Sequence, residues 1–334
     1  MKRKKIIIAG LFIIMVSVMF VSFFIGRLDV SPKQLGGILC STFMDIDPFW
    51  TIQQESIVIH TRLSRILLAC LVGACLSTAG ATYQGIFQNP MAAPDILGAS
   101  AGAAFGASLA IVNECDGRMI MLSAFFFSIL TVSLVCFVSK FARGSQVMSL
   151  VLSGIMIGSL FSSGTSFIKL IADTGTQLPA ITYWLMGSLN GASMEDVRFV
   201  LLPMCAGLIP LLLIRWRLNI LTVGDAEAMT MGVDVKKVRF IAIICATLIT
   251  AASVSVSGMI GWIGLVIPHL SRKLVGNDYR YLMVASMLFG ASFLVVVDDI
   301  SRSLLVTELP LGILNALIGA PFFIYLLARG EGLH

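Results

Sequence analysis

The chain has 334 residues, a formal net charge of +5, 57% hydrophobic residues and only 12% charged ones. About a quarter of the residues of a soluble domain are charged, so this composition excludes an ordinary soluble enzyme and a nucleic-acid-binding module. Repeated apolar runs near the ~20 residues that span a bilayer identify instead an all-α, polytopic membrane protein.

In chain order the runs predict ten membrane segments: Ile6–Gly26, Arg62–Gln84, Pro94–Asn113, Met119–Lys140, Val147–Ile171, Val197–Ile214, Val238–Ser257, Gly258–Ser271, Tyr281–Val297 and Leu311–Ala328. The first follows Met1-Lys2-Arg3-Lys4-Lys5. It resembles a signal peptide but is too long and lacks a small-x-small cleavage site, so it reads as a retained helix. The eighth is short and reads as a broken or partly re-entrant helix. Placing both termini in the cytoplasm puts 15 of the 23 Lys and Arg residues, among them Arg143, Arg239, Arg272 and Arg329, on the inner side. Two outer connections, 28–61 and 172–196, are long enough to hold structure of their own. The whole of 1–334 reads as one membrane domain.

The seven cysteines lie mostly in apolar runs, where a thiol behaves as a small hydrophobe. His60, His269 and His334 have no metal-ligand spacing. Gly98-Ala-Ser100-Ala-Gly102 matches the Gly-x-Ser-x-Gly string of serine hydrolases, but it lies in a membrane segment rather than a strand–turn–helix elbow. The sequence has neither a Gly-x-x-x-x-Gly-Lys-[Ser/Thr] loop nor a His-Glu-x-x-His pair. The chain therefore reads as a non-enzyme that binds no cofactor or metal itself.

Small residues recur at helical spacing. Gly73, Ser77, Gly80 and Gln84 share one face, Gly98, Gly102 and Gly106 another, and Gly154, Gly158, Ser162 and Thr165 a third. Such faces let helices approach closely in lipid. Close packing is the plainer reading of each. The third, which mixes glycines with hydroxyls, is the best candidate for lining a path. Arg62, Arg65 and Arg302 sit at outer helix ends. They read either as interfacial or intrahelical (Arg302 with Asp298), or as a cationic patch that docks an acidic partner. Between glycines, Gly224-Asp225-Ala226-Glu227-Ala228-Met229-Thr230-Met231-Gly232 predicts a short inner helix, with Asp225 as a cap and Glu227 in the first turn. It is either a plain surface helix or one that inserts into a partner's groove. Carboxylates at mid-membrane, which an ion-coupled carrier often needs, are not apparent, and that carrier is the distant alternative.

Five blocks in order resemble the FecCD-type permeases, the membrane subunits of ATP-binding-cassette importers for iron-siderophores, haem and cobalamin. They are Arg62-Leu-Ser-Arg65 through Gly98, Tyr183-Trp-Leu-Met-Gly-Ser188, Gly224 through Val233, Gly261 through Arg272, and Glu308 through Phe323. The resemblance implies a cobalamin-importer-permease-like, type II importer fold with an internal pseudo-symmetry between segments two to five and seven to ten. A faint echo of that symmetry joins Ser77-Thr-Ala-Gly80 to Ser255-Val-Ser-Gly258. It also implies residence in a bacterial or archaeal cytoplasmic membrane and three kinds of partner. These are a second permease subunit (identical or a close paralogue), two cytoplasmic ATPases that carry the ATP-Mg, and an extracytoplasmic substrate-binding protein. By resemblance, Arg62, Arg65 and Arg302 dock the binding protein. Residues 221–233 couple to the ATPases through Gly224, Asp225, Ala226, Glu227, Met229 and Gly232. Gln146, Val147 and Met148 map onto a cytoplasmic gate. The expected cargo is an iron-siderophore-type chelate, with haem or cobalamin as the alternative.

Overall fold

In a computed structural model the described residues are 2–26, 28–41, 44, 47–141, 145–304 and 307–328, excepting the side chains of 326 and 327. Arg143 and Arg329, used above for orientation, and His334 lie outside them. Among the described residues there is no strand. The helices are α1 (Lys2–Ser22), α2 (Pro32–Ser41), α3 (Ile52–Ser56), α4 (Ser64–Ile86), α5 (Ala99–Val112), α6 (Gly117–Ser139), α7 (Gln146–Ile171), α8 (Gln177–Met186), α9 (Met194–Leu221), α10 (Asp225–Thr230), α11 (Val235–Ser257), α12 (Ile263–Val275), α13 (Tyr279–Leu304) and α14 (Leu311–Ala328). A π-helical stretch, Ile57–Leu63, fuses α3 to α4, and a 3₁₀ turn, Pro94–Leu97, precedes α5.

Each of the ten expected segments falls on a helix. Seven helical runs among the described residues are long and apolar enough to cross a bilayer alone. The others, α5, α12 and α14, are shorter. The 14 residues of α5 rise only about 21 Å, against a hydrocarbon thickness of about 30 Å. The turn before α5 extends its reach. The eighth segment is short, as expected, but its helix is unbroken: α11 stops at Gly258 (φ +66°), Trp262 takes a left-handed φ of +72°, and α12 then runs continuously from Ile263 to Val275. This separates the two halves of the proposed echo, because Gly80 lies inside α4 whereas Gly258 ends α11. The connection at 172–196 contains α8, and the one at 28–61 contains α2 and α3.

The core is organised around α4, whose residues are buried along nearly its whole length against α9, α11, α12 and α13. Its small face does the packing. A Cβ on Gly73 would stand 2.2 Å from the carbonyl oxygen of Gly290, and one on Gly80 would stand 1.8 Å from that of Gly264. Between these crossings the Ser77 hydroxyl donates to the Ser286 carbonyl at 2.8 Å, and Gln84 reaches the Gly264 carbonyl at 3.4 Å. Helices meet here backbone to backbone, which small residues permit where no hydrophobic effect drives association.

The same logic joins α5 to α6. Gly102 faces Thr131 and the Phe127 carbonyl, and Gly106 faces the Ser123 carbonyl, while Ser123 donates to the Gly106 carbonyl at 2.7 Å. The Gly-x-Ser-x-Gly string is thus a helix start. Gly98 (φ +73°) turns the chain into α5, and the Ser100 N–H donates to Asp95 at 2.9 Å.

Candidate functional site

Functional candidates collect at the two ends of the bundle and along α7. The first end holds the start of α4, the last turns of α13 and the segment leading into α14. Arg65 donates Nε to both carboxylate oxygens of Asp298 (3.0 and 2.9 Å), Nη2 to Asp298 Oδ1 (2.9 Å), and Nη1 to both oxygens of Glu308 (3.0 and 2.9 Å). Arg302 pairs with Asp299, while its Nη2 also donates to the Ser22 carbonyl (2.8 Å) and the Ser22 hydroxyl (2.6 Å). That hydroxyl sits 2.6 Å from Asp299. Arg62 donates to the carbonyls of Phe23 and Leu28.

The expectation of three outward-projecting cations is corrected here. Arg62, Arg65 and Arg302 retain only 3, 5 and 8% exposure. A buried guanidinium must be paired or hydrogen-bonded: Asp298 and Glu308 serve Arg65, Asp299 serves Arg302, and backbone carbonyls serve Arg62. The arginines are brought to one end of the molecule, as expected, but they face inward and tie α1, α4 and α13 together. The Arg302–Asp298 pair inferred from helical spacing is present at 3.9 Å, with Asp299 the closer partner. The carboxylates opposite Arg65 were invisible in the sequence because they lie 233 and 243 residues away.

At the opposite end α10 stands between Gly224 (φ +133°) and Gly232 (φ +78°). Ala228 alone of its six residues is buried, while Asp225, Ala226, Glu227 and Met229 face outward, followed by the exposed Met231. Asp225 does not cap the helix, since Gly224 holds the cap position and no side-chain capping bond forms. Its carboxylate is taken by Arg239 of α11, with Nη2 to Oδ1 at 2.7 Å and Nη1 to Oδ2 at 3.1 Å. Arg239 Nη1 also reaches Gln146 Oε1 at 3.2 Å, at the first residue of α7. In the sequence Arg239 counted only as one more inner-loop cation. Its place inside an apolar helix, two residues after Lys237, is the signal that sets it apart. Nearby, Arg280 and Asn219 hold the Asp278 carboxyl well below the usual carboxylate range, Arg280 contributing most.

The proposed lining face of α7 is also corrected. Gly154 packs on the Ile96 carbonyl, Gly158 on the backbone of Gly98, and Thr165 is buried. Only Ser162 of the four is exposed. The close approach of the 3₁₀ turn to α7 uses up the glycine face. The outward face carries Ser159, Ser162, Ser163 and Ser166 among large apolar side chains. At the start of α7, Gln146 and Met148 are exposed and Val147 half-buried.

The FecCD transport family profile matches residues 12–329. The chain belongs to that family. It is 40% identical over 332 residues to the molybdate import system permease MolB of Haemophilus influenzae, covering 97% of this chain and 96% of the relative. It is also 40% identical over 277 residues to a protein of Helicobacter pylori named as an iron chelatin transport system permease, covering 83% of each. Other relatives are named for cobalamin and hemin transport. A solved structure described as an inward-facing, metal-chelate type ABC transporter superposes with a TM-score of 0.87 at 36% identity, covering 97% of this chain and 99% of that one. The chain is therefore an integral membrane permease of an ATP-binding-cassette importer, a transport subunit whose ATP hydrolysis lies on separate subunits. This family membership displaces the ion-coupled carrier.

Proposed function

We propose that the chain forms the translocation path for a metal chelate of the iron-siderophore type, delivered by an extracytoplasmic binding protein and driven by two cytoplasmic ATPases. The observation that carries the cargo class is the outward face of α7. Over 146–168 it has serine hydroxyls and apolar side chains but no charge. Such a surface suits a solute whose metal charge is masked by its ligand shell, with selection left to the binding protein. In this reading a second permease chain, identical or closely related, faces α7 across the path, and both termini and α10 are cytoplasmic. The exposed Glu227, Met229 and Met231 suit a groove on an ATPase, methionine being an adaptable contact residue. Residues 146–148 form the cytoplasmic gate. The Arg65 end receives the binding protein, with the three arginines shaping that surface from beneath.

A second reading, import of molybdate, is favoured by the 40% identity to MolB along almost the whole chain. Uptake in proteoliposomes containing both permease chains, the ATPases and the binding protein separates them, with labelled ferric citrate and labelled molybdate offered in parallel. ATP-dependent accumulation of the ferric chelate is expected. Accumulation of molybdate alone selects the second reading, and uptake that needs only an ion gradient refutes both.

A further inference from the structure

We infer that Arg239 is the positioning residue that joins the coupling helix to the gate: one guanidinium, anchored on α11, holds Asp225 of α10 and Gln146 of α7 together, so that movement of α10 moves the start of α7. This deepens the importer reading and rests on it.

Four observations carry the inference. First, the arginine is placed as a linker. It is 1% exposed, among the largest fully buried side chains of the chain, and it contacts two elements that are otherwise far apart in sequence, 14 and 93 residues away. Second, its grip on Asp225 is bidentate. A planar fork on a carboxylate transmits orientation as well as attraction, which a lysine would not do. The fork cannot release Asp225 without leaving a buried, unpaired charge, so α10 and Arg239 travel together. Third, α10 is built to move. It is six residues long and bracketed by Gly224 and Gly232, both at positive φ. Such residues absorb backbone rotation at a hinge.

Fourth, the far side of the link has room. A cavity of about 520 Å³ beside Arg239 is lined by Cys136, Lys140, Gln146, Leu150 and Phe240. The N-terminus of α7 has no side-chain cap of its own. Arg239 Nε is buried and has no acceptor among the described residues. An unpartnered donor is costly, so this arrangement has a donor in hand for a new partner when α7 shifts. Asp225 itself keeps 47% side-chain exposure, so the same carboxylate is open to a partner surface on one side and held by Arg239 on the other.

The test uses the complete reconstituted importer and reads solute carried per ATP hydrolysed, with ferric citrate and molybdate as probes. Asp225→Asn and Arg239→Gln should each lower that ratio about tenfold, within the range usual for coupling between two sites. The double variant should be no worse than either single one, because both break the same link. Arg239→Lys, which keeps the charge without the fork, should fall between Arg239→Gln and the unaltered complex. A melting temperature for each purified permease accompanies the transport data. Variants that lose uptake and hydrolysis in equal proportion while melting earlier would show an ordinary structural ion pair and overturn the inference. An unchanged ratio in stable variants would overturn it as well. If the unaltered complex carries neither probe with ATP, the cargo reading falls, and the coupling role is then read from the stimulation of ATP hydrolysis by the binding protein: stimulation that stays at the unaltered level in stable Asp225→Asn and Arg239→Gln variants would overturn it.

Discussion

Replacing Arg65 by alanine tests whether Arg62, Arg65 and Arg302 are free cations or internal ones. The side chain makes five contacts of 2.9–3.0 Å, three to Asp298 and two to Glu308. Truncation leaves Asp298, with 2% side-chain exposure, short of its main partner, while Glu308, at 23%, regains some water. Breaking a buried pair by removing one member costs about 3–5 kcal/mol. Arg302, 3.9 Å from Asp298, offsets part of this, which puts Arg65→Ala near 3 kcal/mol. Asp298→Asn should cost less, because Arg65 keeps Glu308. Removing both charges together, as in Arg65→Met with Asp298→Leu, should recover most of the loss, since paired apolar replacements of buried ion pairs are often close to neutral. Stepwise heating of the purified permease in detergent, followed by size-exclusion chromatography, gives the folded fraction. An Arg65→Ala chain that melts with the unaltered one would refute the buried network and restore an outward-facing cation at this position.

Three further outcomes are expected. Gly80→Leu should prevent folding or cost several kcal/mol, because its Cβ would stand 1.8 Å from the Gly264 carbonyl oxygen and overpacking alone costs about 1–3 kcal/mol; Gly10→Ala, with nothing within 4 Å, should be silent, and the yield of monodisperse protein checks both. Gly154→Leu should lower the melting temperature as well as transport, since a Cβ there meets the Ile96 carbonyl at 2.4 Å; normal stability with blocked transport would instead return Gly154 to the path. The depressed Asp278 carboxyl contributes stability that is fully present above its unfolded value of about 3.9 and is lost as pH falls through the lower folded value. The stability gap between the unaltered chain and Asp278→Asn should therefore be constant from about pH 5 to 8 and close only under stronger acid, as melting curves against pH would show.

The helices were legible because each is a local pattern. An apolar run of bilayer length declares itself, and the short α12 was visible as a segment too short to cross. The packing role of Gly73, Ser77, Gly80 and Gln84 was legible for the same reason, since spacing puts them on one face. What spacing cannot show is the partner. Gly154 and Gly158 have the same signature as a path-lining face, and only the position of the turn at Pro94–Leu97 shows that the face is occupied. Arg65 looked equally free because its carboxylates are more than 230 residues away. Asp225 had the right residue type and place for a helix cap, yet a buried arginine on the next helix outcompetes the local N–H groups for its oxygens.

The two charged ends differ in a way that bears on how the molecule can move. At the Arg65 end Arg65 and Arg302 meet three carboxylates, all five within α4, α13 and the segment entering α14 and four of them nearly sealed from water, while the buried Arg62 just before α4 holds backbone carbonyls. Any displacement of α4 against α13 there would strand a charge, and the Gly73–Gly290 contact stiffens the same pair further in. At the α10 end one arginine serves a half-exposed carboxylate and a neutral amide. The Gln146 contact is a neutral hydrogen bond, so the start of α7 can follow Arg239 without stranding a charge, whereas α13 cannot part from Arg65 without doing so. A displacement entering at α10 therefore meets its weakest resistance at the start of α7 and its strongest at the Arg65 end of α4, so the start of α7, rather than the α4–α13 core, is the part that gives.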